Sequence, residues 1–171
     1  ALVNPDDEVA WKRIVNVPKR GVGDTSVRKV EVHAGGAGIT FRAALAAAGD
    51  AGVSGKALSG IGRLLEVIEA VEAEPELTVC GAIEMILERT GYLAELEAER
   101  TIEAEGRREN LAELVGVARD FDEQIERGDT GMLGAIAGID VGETAAEADA
   151  DDAAPVITGP ARVQAFLEAV S

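Results

Sequence analysis

The sequence predicts an all-α protein, an irregular multi-helix bundle. Three observations point there. Aromatic residues make up 3% of the chain while Ala, Glu and Gly dominate it, a mixture that suits helices because strands draw on β-branched and aromatic side chains. Apolar residues recur at helical spacing between capping residues, Gly and Pro. No alternating run of strand length and no fixed-period repeat interrupts them. With 171 residues the chain is about one domain's worth and suffices for one buried core.

The elements follow in order. In "NPDDEVAWKRIVNVP", Asn4 offers an N-cap, Pro5 sits at the first helical position, and Asp6, Asp7 and Glu8 favour the positive end of the helix dipole. Val9, Ala10, Ile14 and Val17 form an apolar stripe, and Pro18 stops the helix. After Gly21 and Gly23, Asp24 or Thr25 caps a second helix that runs to about Ala34, where Gly35 and Gly36 end it. Thr40 starts a short alanine-rich helix ending near Gly49. Ser54 caps a longer one, with Leu58, Ile61, Leu65, Ile68 and Val71 at helical spacing before Pro75. Thr78 opens the next, and Gly91 breaks it. From about Thr101 a long helix carries Leu111, Leu114, Val115, Ala118 and Phe121 on one side. Residues 142–157, containing "ETAAEADADDAAP", have too little bulk and too much charge to pack, which predicts a flexible acidic loop. A last helix starts around Thr158 and Pro160 and contains Val163, Phe166, Leu167 and Val170.

Charge is unevenly spread. The formal net charge is −16, yet six basic residues (Lys12, Arg13, Lys19, Arg20, Arg28, Lys29) fall within residues 11–29 against one acid, Asp24. From Asp120 to Asp152 there are eleven acids and only Arg127. Most of this surface repels a polyanion, which is left the amino-terminal end to dock on. No run approaches a membrane span in length, and no signal segment opens the chain. The single cysteine, Cys80, forms no internal disulfide, so a reducing cytoplasm is the expected compartment. Starting at Ala1 in mid-pattern, the sequence reads as a piece cut from a longer protein.

No catalytic or metal constellation stands out. His33 and Cys80 are the only residues of their kinds and nothing places them together, so a helix-end histidine and a buried core thiol are the simplest readings. Asp149, Asp151 and Asp152 lack the central glycine and final glutamate of a calcium loop. "GGAG" at 35–38 has no preceding strand and no Gly-Lys-Ser/Thr ending, which excludes a nucleotide-binding P-loop there.

The Gly21-Val22-Gly23 turn is different. Two glycines between helices let the backbone turn tightly and approach a ligand, and the next helix aims its first amides outward, where a phosphate accepts them. Lys19 and Arg20 before the turn, and Arg28 and Lys29 one helical turn after it, add positive charge. From the motif alone, a plain interhelical turn with a solvated basic face remains an equal reading.

The stretch "NPDDEVAWKRIVNVPKRGVGDTS" resembles the segment through which UvrD/PcrA/Rep-type superfamily 1 DNA helicases enter their 2B subdomain. Asn4, Pro5, Asp7, Ala10, Arg13, Ile14, Asn16, Pro18, Arg20, Gly21 and Gly23 carry the match. "ERTGYLAELEAE" and "RRENLAELVGVARDF" resemble later segments of that subdomain, and "VQAFLEAVS" resembles its exit. The matches keep family order and cover most of the chain. Val22 stands where the family usually has isoleucine, and the stretch at 35–52 and the acidic loop look idiosyncratic. Tyr92 and Asn110 belong to the resemblance; their simplest roles are a packing anchor and a helix-to-helix hydrogen bond.

The resemblance implies a single 2B-type helical subdomain over residues 1–171, excised from an ATP-dependent 3'-5' DNA helicase of repair or replication. Such a subdomain swivels against the motor subdomains, contacts duplex DNA through glycine-containing turns and restrains unwinding. ATP and Mg then belong to the motor subdomains of the parent enzyme, and this chain alone is no ATPase. A second turn would fall at Ser54, Gly55 and Lys56. Lys19, Arg20, Gly21, Val22, Gly23, Asp24, Thr25, Arg28 and Lys56 are therefore the expected contacts to the duplex backbone. The competing reading is an acidic interaction module that docks basic partners, such as repair or transcription proteins. No membrane partner is expected.

Overall fold

Capping hydroxyls set where several helices begin. In a computed structural model that describes residues 1–127 and 159–170, the side-chain oxygens of Thr40, Thr78 and Thr101 accept hydrogen bonds from the amides of Ala43 (3.2 Å), Gly81 (3.0 Å) and Ala104 (3.1 Å). Each satisfies an amide that the first helical turn leaves without a partner. The elements are α1 (Glu8–Ile14), α2 (Asp24–Ala37), α3 (Phe41–Ala46), α4 (Gly55–Glu72), α5 (Val79–Thr90), α6 (Tyr92–Glu99), α7 (Ile102–Glu126) and α8 (Gly159–Ala169). No strand occurs among the described residues, so the chain is all-α, as its composition predicts.

Some boundaries differ from expectation. Asn4 is not the cap of α1. It forms a turn, its carbonyl accepting from the Asp7 amide at 3.2 Å, and Asp7 takes the capping role by accepting from the Ala10 amide at 3.0 Å. The short α1 buries Trp11, and Val15 is buried just after it, while Val9 and Val17 are 58% and 53% exposed. The helix α2 runs through Gly35 and Gly36 and ends at Gly38, whose φ of 64° supplies the left-handed cap. Gly91, with φ 69°, ends α5, and Tyr92 immediately begins the additional helix α6. Asn110 is exposed on α7 rather than bridging to a neighbouring helix. The acidic loop expected at 142–157 lies outside the described residues.

Two apolar clusters hold the helices together. The first gathers Trp11, Val15, Val22, Val30, Phe41, Leu45, Ile61, Leu64 and Ile68 from α1 to α4 and the turn between α1 and α2. Arg42 and Glu72 form a bidentate pair at its edge, with N···O distances of 2.7 and 2.5 Å. The second cluster joins Val79 and Cys80 of α5 to Ala118 and Phe121 of α7 and Phe166 of α8. Its rings of Phe121 and Phe166 meet edge to face, with centroids 5.4 Å apart. Asp122, only 6% exposed, accepts from the amides of Val79 (2.9 Å) and Cys80 (2.7 Å), so a carboxylate of α7 caps α5. Because α5 packs against both α4 and α7, it connects the two clusters.

Candidate nucleic-acid interface

The loop between α1 and α2 is built by its own side chains. Asn16 Oδ1 accepts from the Arg20 amide at 2.9 Å and the Val22 amide at 3.1 Å, drawing the chain into a tight turn. Arg20 folds back: its Nη1 donates to the carbonyls of Ile14 (2.9 Å), Val17 (2.7 Å) and Pro18 (3.3 Å). The Ile14 carbonyl also accepts from the Val17 amide at 3.1 Å, and the guanidinium adds a donor to it and to the two carbonyls that follow the helix. Val22, 2% exposed, inserts into the first apolar cluster.

This reassigns two of the expected contacts. Arg20 is half-buried and committed to its own backbone, and burial lowers its pKa, with Glu95 opposing and Arg63 reinforcing that shift. The Val22 side chain is in the core and its amide is engaged. Both residues hold the turn in shape and offer little to an outside ligand.

The two glycines do different work. Gly21 has a φ of 77°, where an L side chain is strained, and a Cβ there would lie 3.3 Å from the Lys56 Cβ. Gly23 has an ordinary φ of −88° and open space around it, and it is the N-cap of α2 without any side-chain cap. The first amides of α2, at Asp24 and Thr25, thus start from an unobstructed end. Both residues are exposed, as is Arg28 one turn further on.

The structure brings the second expected turn to the first. Lys56 stands at the start of α4 beside Gly21, so the two segments form one surface. Four residues on, a Cβ at Gly60 would overlap the Arg20 carbonyl oxygen. The glycine is therefore the notch through which α4 receives the loop. Sequence reading missed Gly60; its signal was a glycine inside a helix, where alanine is favoured by about 1 kcal/mol.

The cations divide into two groups. Among the described residues, Lys12, Arg42, Arg107, Arg108, Arg119 and Arg127 each form an ion pair with a glutamate. Glu31 and then Glu8 raise the Lys12 pKa. Lys29 donates to the Gly52 carbonyl at 2.6 Å, tying α2 to the approach to α4. Lys19, Arg28 and Lys56 are in no such pair among the described residues, although the chain has 32 acids for 16 Lys and Arg. The Lys19 amide, by contrast, donates to Glu95 Oε2 at 3.2 Å. Three of the cations outside such pairs thus lie around the Gly-Val-Gly turn and the head of α4; Arg13, Arg63, Arg89 and Arg100, elsewhere along the chain, are likewise in none of these pairs. Among the described residues no His, Cys, Asp or Glu group is arranged to hold a metal, and no helix is long and apolar enough to cross a membrane.

No family model matches the chain. It is similar to the ATP-dependent DNA helicase PcrA of Bacillus subtilis (strain 168), 39% identical over 124 residues, which are 72% of this chain and 17% of that protein. It is also similar to the ATP-dependent DNA helicase PcrA of Staphylococcus aureus (strain Mu50), 30% identical over 158 residues, 92% of this chain and 22% of that protein. With PcrA of Staphylococcus epidermidis the identity is 29% over the same length. The chain spans about a fifth of the length of the curated relatives it matches.

Proposed function

On the premise that the chain is homologous to a segment of the PcrA-type ATP-dependent DNA helicases, we propose that it is the duplex-contacting, swivelling regulatory subdomain of a longer 3'-5' DNA helicase. The observation that carries this reading is the joint surface of the Gly-Val-Gly turn and Lys56. There an uncapped helix end, a glycine with open space and unpaired cations coincide.

A backbone phosphate sits at the head of α2, accepting from the amides of Asp24 and Thr25. Gly23 gives it room. Lys19, Arg28 and Lys56 supply charge to it and its neighbours, while Arg20, Asn16 and Val22 keep the loop in shape. Such contacts position the duplex without reading its sequence. Affinity is modest and its salt slope shallow, because a small basic patch on a strongly acidic body displaces few counterions. The sequence has no Gly-x-x-x-x-Gly-Lys-Ser/Thr segment, so ATP and Mg are left to motor subdomains elsewhere in the longer protein.

The test is a titration with a short labelled duplex, followed by anisotropy and by amide chemical shifts. The amides of Gly23, Asp24 and Thr25 should move first, and scrambling the base sequence should change nothing. Binding that leaves these amides unmoved contradicts the reading.

A second reading rests on a different surface. An open groove of about 1010 Å³ runs between α5, α6 and α7, with Leu87, Leu111 and Val115 in its lining. Glu84, Glu88, Glu97, Glu105 and Glu109 outnumber Arg108 and Arg119 around it, which suits a basic partner segment and supports an interaction module.

A further inference from the structure

Next to the Gly-Val-Gly turn lies a smaller cleft of about 160 Å³, whose lining includes Lys19, Arg20, Arg63, Arg89 and Glu95. The residues come from separate parts of the chain. Lys19 and Arg20 precede the turn, Arg63 lies in α4, Arg89 is in the last turn of α5, and Glu95 belongs to α6. Lys19, Arg63 and Arg89 thus share the lining with one carboxylate, in a chain whose formal net charge is −16, while the guanidinium of Arg20 is committed to backbone carbonyls. Glu95 is already accepting from the Lys19 amide.

Local structure does not account for the gathering. The dipole of α5 favours a cation at Arg89, but Arg63 stands in the middle of α4, where no helix end calls for one. Its only side-chain hydrogen bond among the described residues is a long one, 3.4 Å, from Nε to the Ser59 carbonyl. None of Lys19, Arg63 and Arg89 joins the glutamate pairs that engage arginines elsewhere among the described residues. Arg63 lies close enough to Arg20 to oppose its charge. Glu95 offsets part of this positive charge, and a further anion between the cations relieves the rest.

The cleft also adjoins the proposed phosphate seat. Arg20 lines it and is the residue immediately before Gly21, and α4 runs past both, with Lys56 beside the turn, Gly60 against Arg20 and Arg63 at the cleft. Positions 56, 60 and 63 fall on one face of a helix. One side of α4 therefore connects the two places.

We propose that this cleft is a second anion subsite, in which Lys19, Arg63 and Arg89 hold a nucleic-acid backbone phosphate neighbouring the one at the Gly-Val-Gly turn. The proposal rests on the reading given under Proposed function. Arg63 and Arg89 are exposed and enter the cleft from its walls, and their charge needs only a phosphodiester oxygen to complete it. A bidentate guanidinium suits that geometry better than an ammonium.

The test compares the wild-type chain with an Arg63→Gln/Arg89→Gln double variant and a Lys56→Gln variant. Circular dichroism confirms folding, and duplex affinity is measured across a salt series. The expected result is a salt slope about one unit flatter in the double variant, because one phosphate fewer is neutralised on binding, together with duplex-induced shifts of the Arg63 and Arg89 Nε–H resonances in wild type. If Lys56→Gln flattens the slope and the double variant does not, the cleft is no subsite while the turn still seats duplex. If the wild type binds no duplex, both readings fall together. Movement of the Nε–H resonances with inorganic phosphate or polyglutamate, but not with duplex, also overturns the proposal, in the second case in favour of an acidic protein segment.

Discussion

Gly60 of α4 packs against the backbone of Arg20: a Cβ at Gly60 would stand 2.8 Å from the Arg20 Cβ and overlap its carbonyl oxygen. The whole loop that presents the turn depends on this approach. Gly60→Ala should therefore destabilise the chain by about 1–3 kcal/mol, as overpacking does. Gly62, two residues on in the same helix, has nothing within 4 Å of its would-be Cβ. Gly62→Ala should stabilise by about 0.5–1 kcal/mol, the ordinary helix gain. Urea midpoints of the two variants should move in opposite directions; movement in the same direction would show that α4 does not need the notch.

Arg20 and Lys56 should separate shape from contact. Arg20→Ala removes the donor shared by the carbonyls of Ile14, Val17 and Pro18, of which Ile14 keeps the Val17 amide and the Val17 bond is exposed to water, at a cost of about 0.5–1.5 kcal/mol. In the fraction that stays folded, the salt slope of duplex binding should be unchanged. Lys56→Gln should do the reverse, leaving the thermal midpoint nearly fixed and flattening the slope by about one unit. A flattened slope for Arg20→Ala at full stability would return Arg20 to the contact surface.

Asp122 ties the second cluster together through a bond that no local pattern announces. Asp122→Ala strips the partner from two buried amides, those of Val79 and Cys80, at about 1–3 kcal/mol for each group left unsatisfied. Hydrogen exchange should accelerate first at those two amides. Unchanged protection there would mean that α5 begins securely without the carboxylate.

The parts of the fold legible in the sequence were those decided within a few residues. Thr40, Thr78 and Thr101 announce helix starts because a hydroxyl reaches an amide three residues ahead. The head of α1 was misread because Asn4–Pro5 and Asp7 satisfy the same capping rule, and only the turn at Asn4 chooses between them. Gly35 and Gly36 look like a stop, but α2 ends where the backbone turns left-handed, and that is at Gly38. In the candidate site, the turn and the cluster of cations were visible, and their division was not. Lys12, Arg20 and Lys19 are equivalent as letters. They differ because Glu31 pairs with Lys12 and the Ile14 carbonyl takes the Arg20 guanidinium, while Glu95 engages only the backbone amide of Lys19. Arg63 and Arg89 were invisible for the same reason, lying far along the chain from the turn they adjoin.

The claim that a phosphate sits at the Gly-Val-Gly turn is tested most directly by duplex affinity at low salt with Gly23→Val. The position has an ordinary φ of −88° and open space, so the variant should keep its helical circular dichroism, with a capping cost of about 1 kcal/mol. Its branched side chain occupies the place where the phosphate approaches the first amides of α2. Binding should weaken by about 10- to 100-fold, the worth of one charge-assisted hydrogen bond or slightly more, with no change in charge. A folded Gly23→Val chain that binds duplex as tightly as wild type would show that the turn is only a connection between two helices.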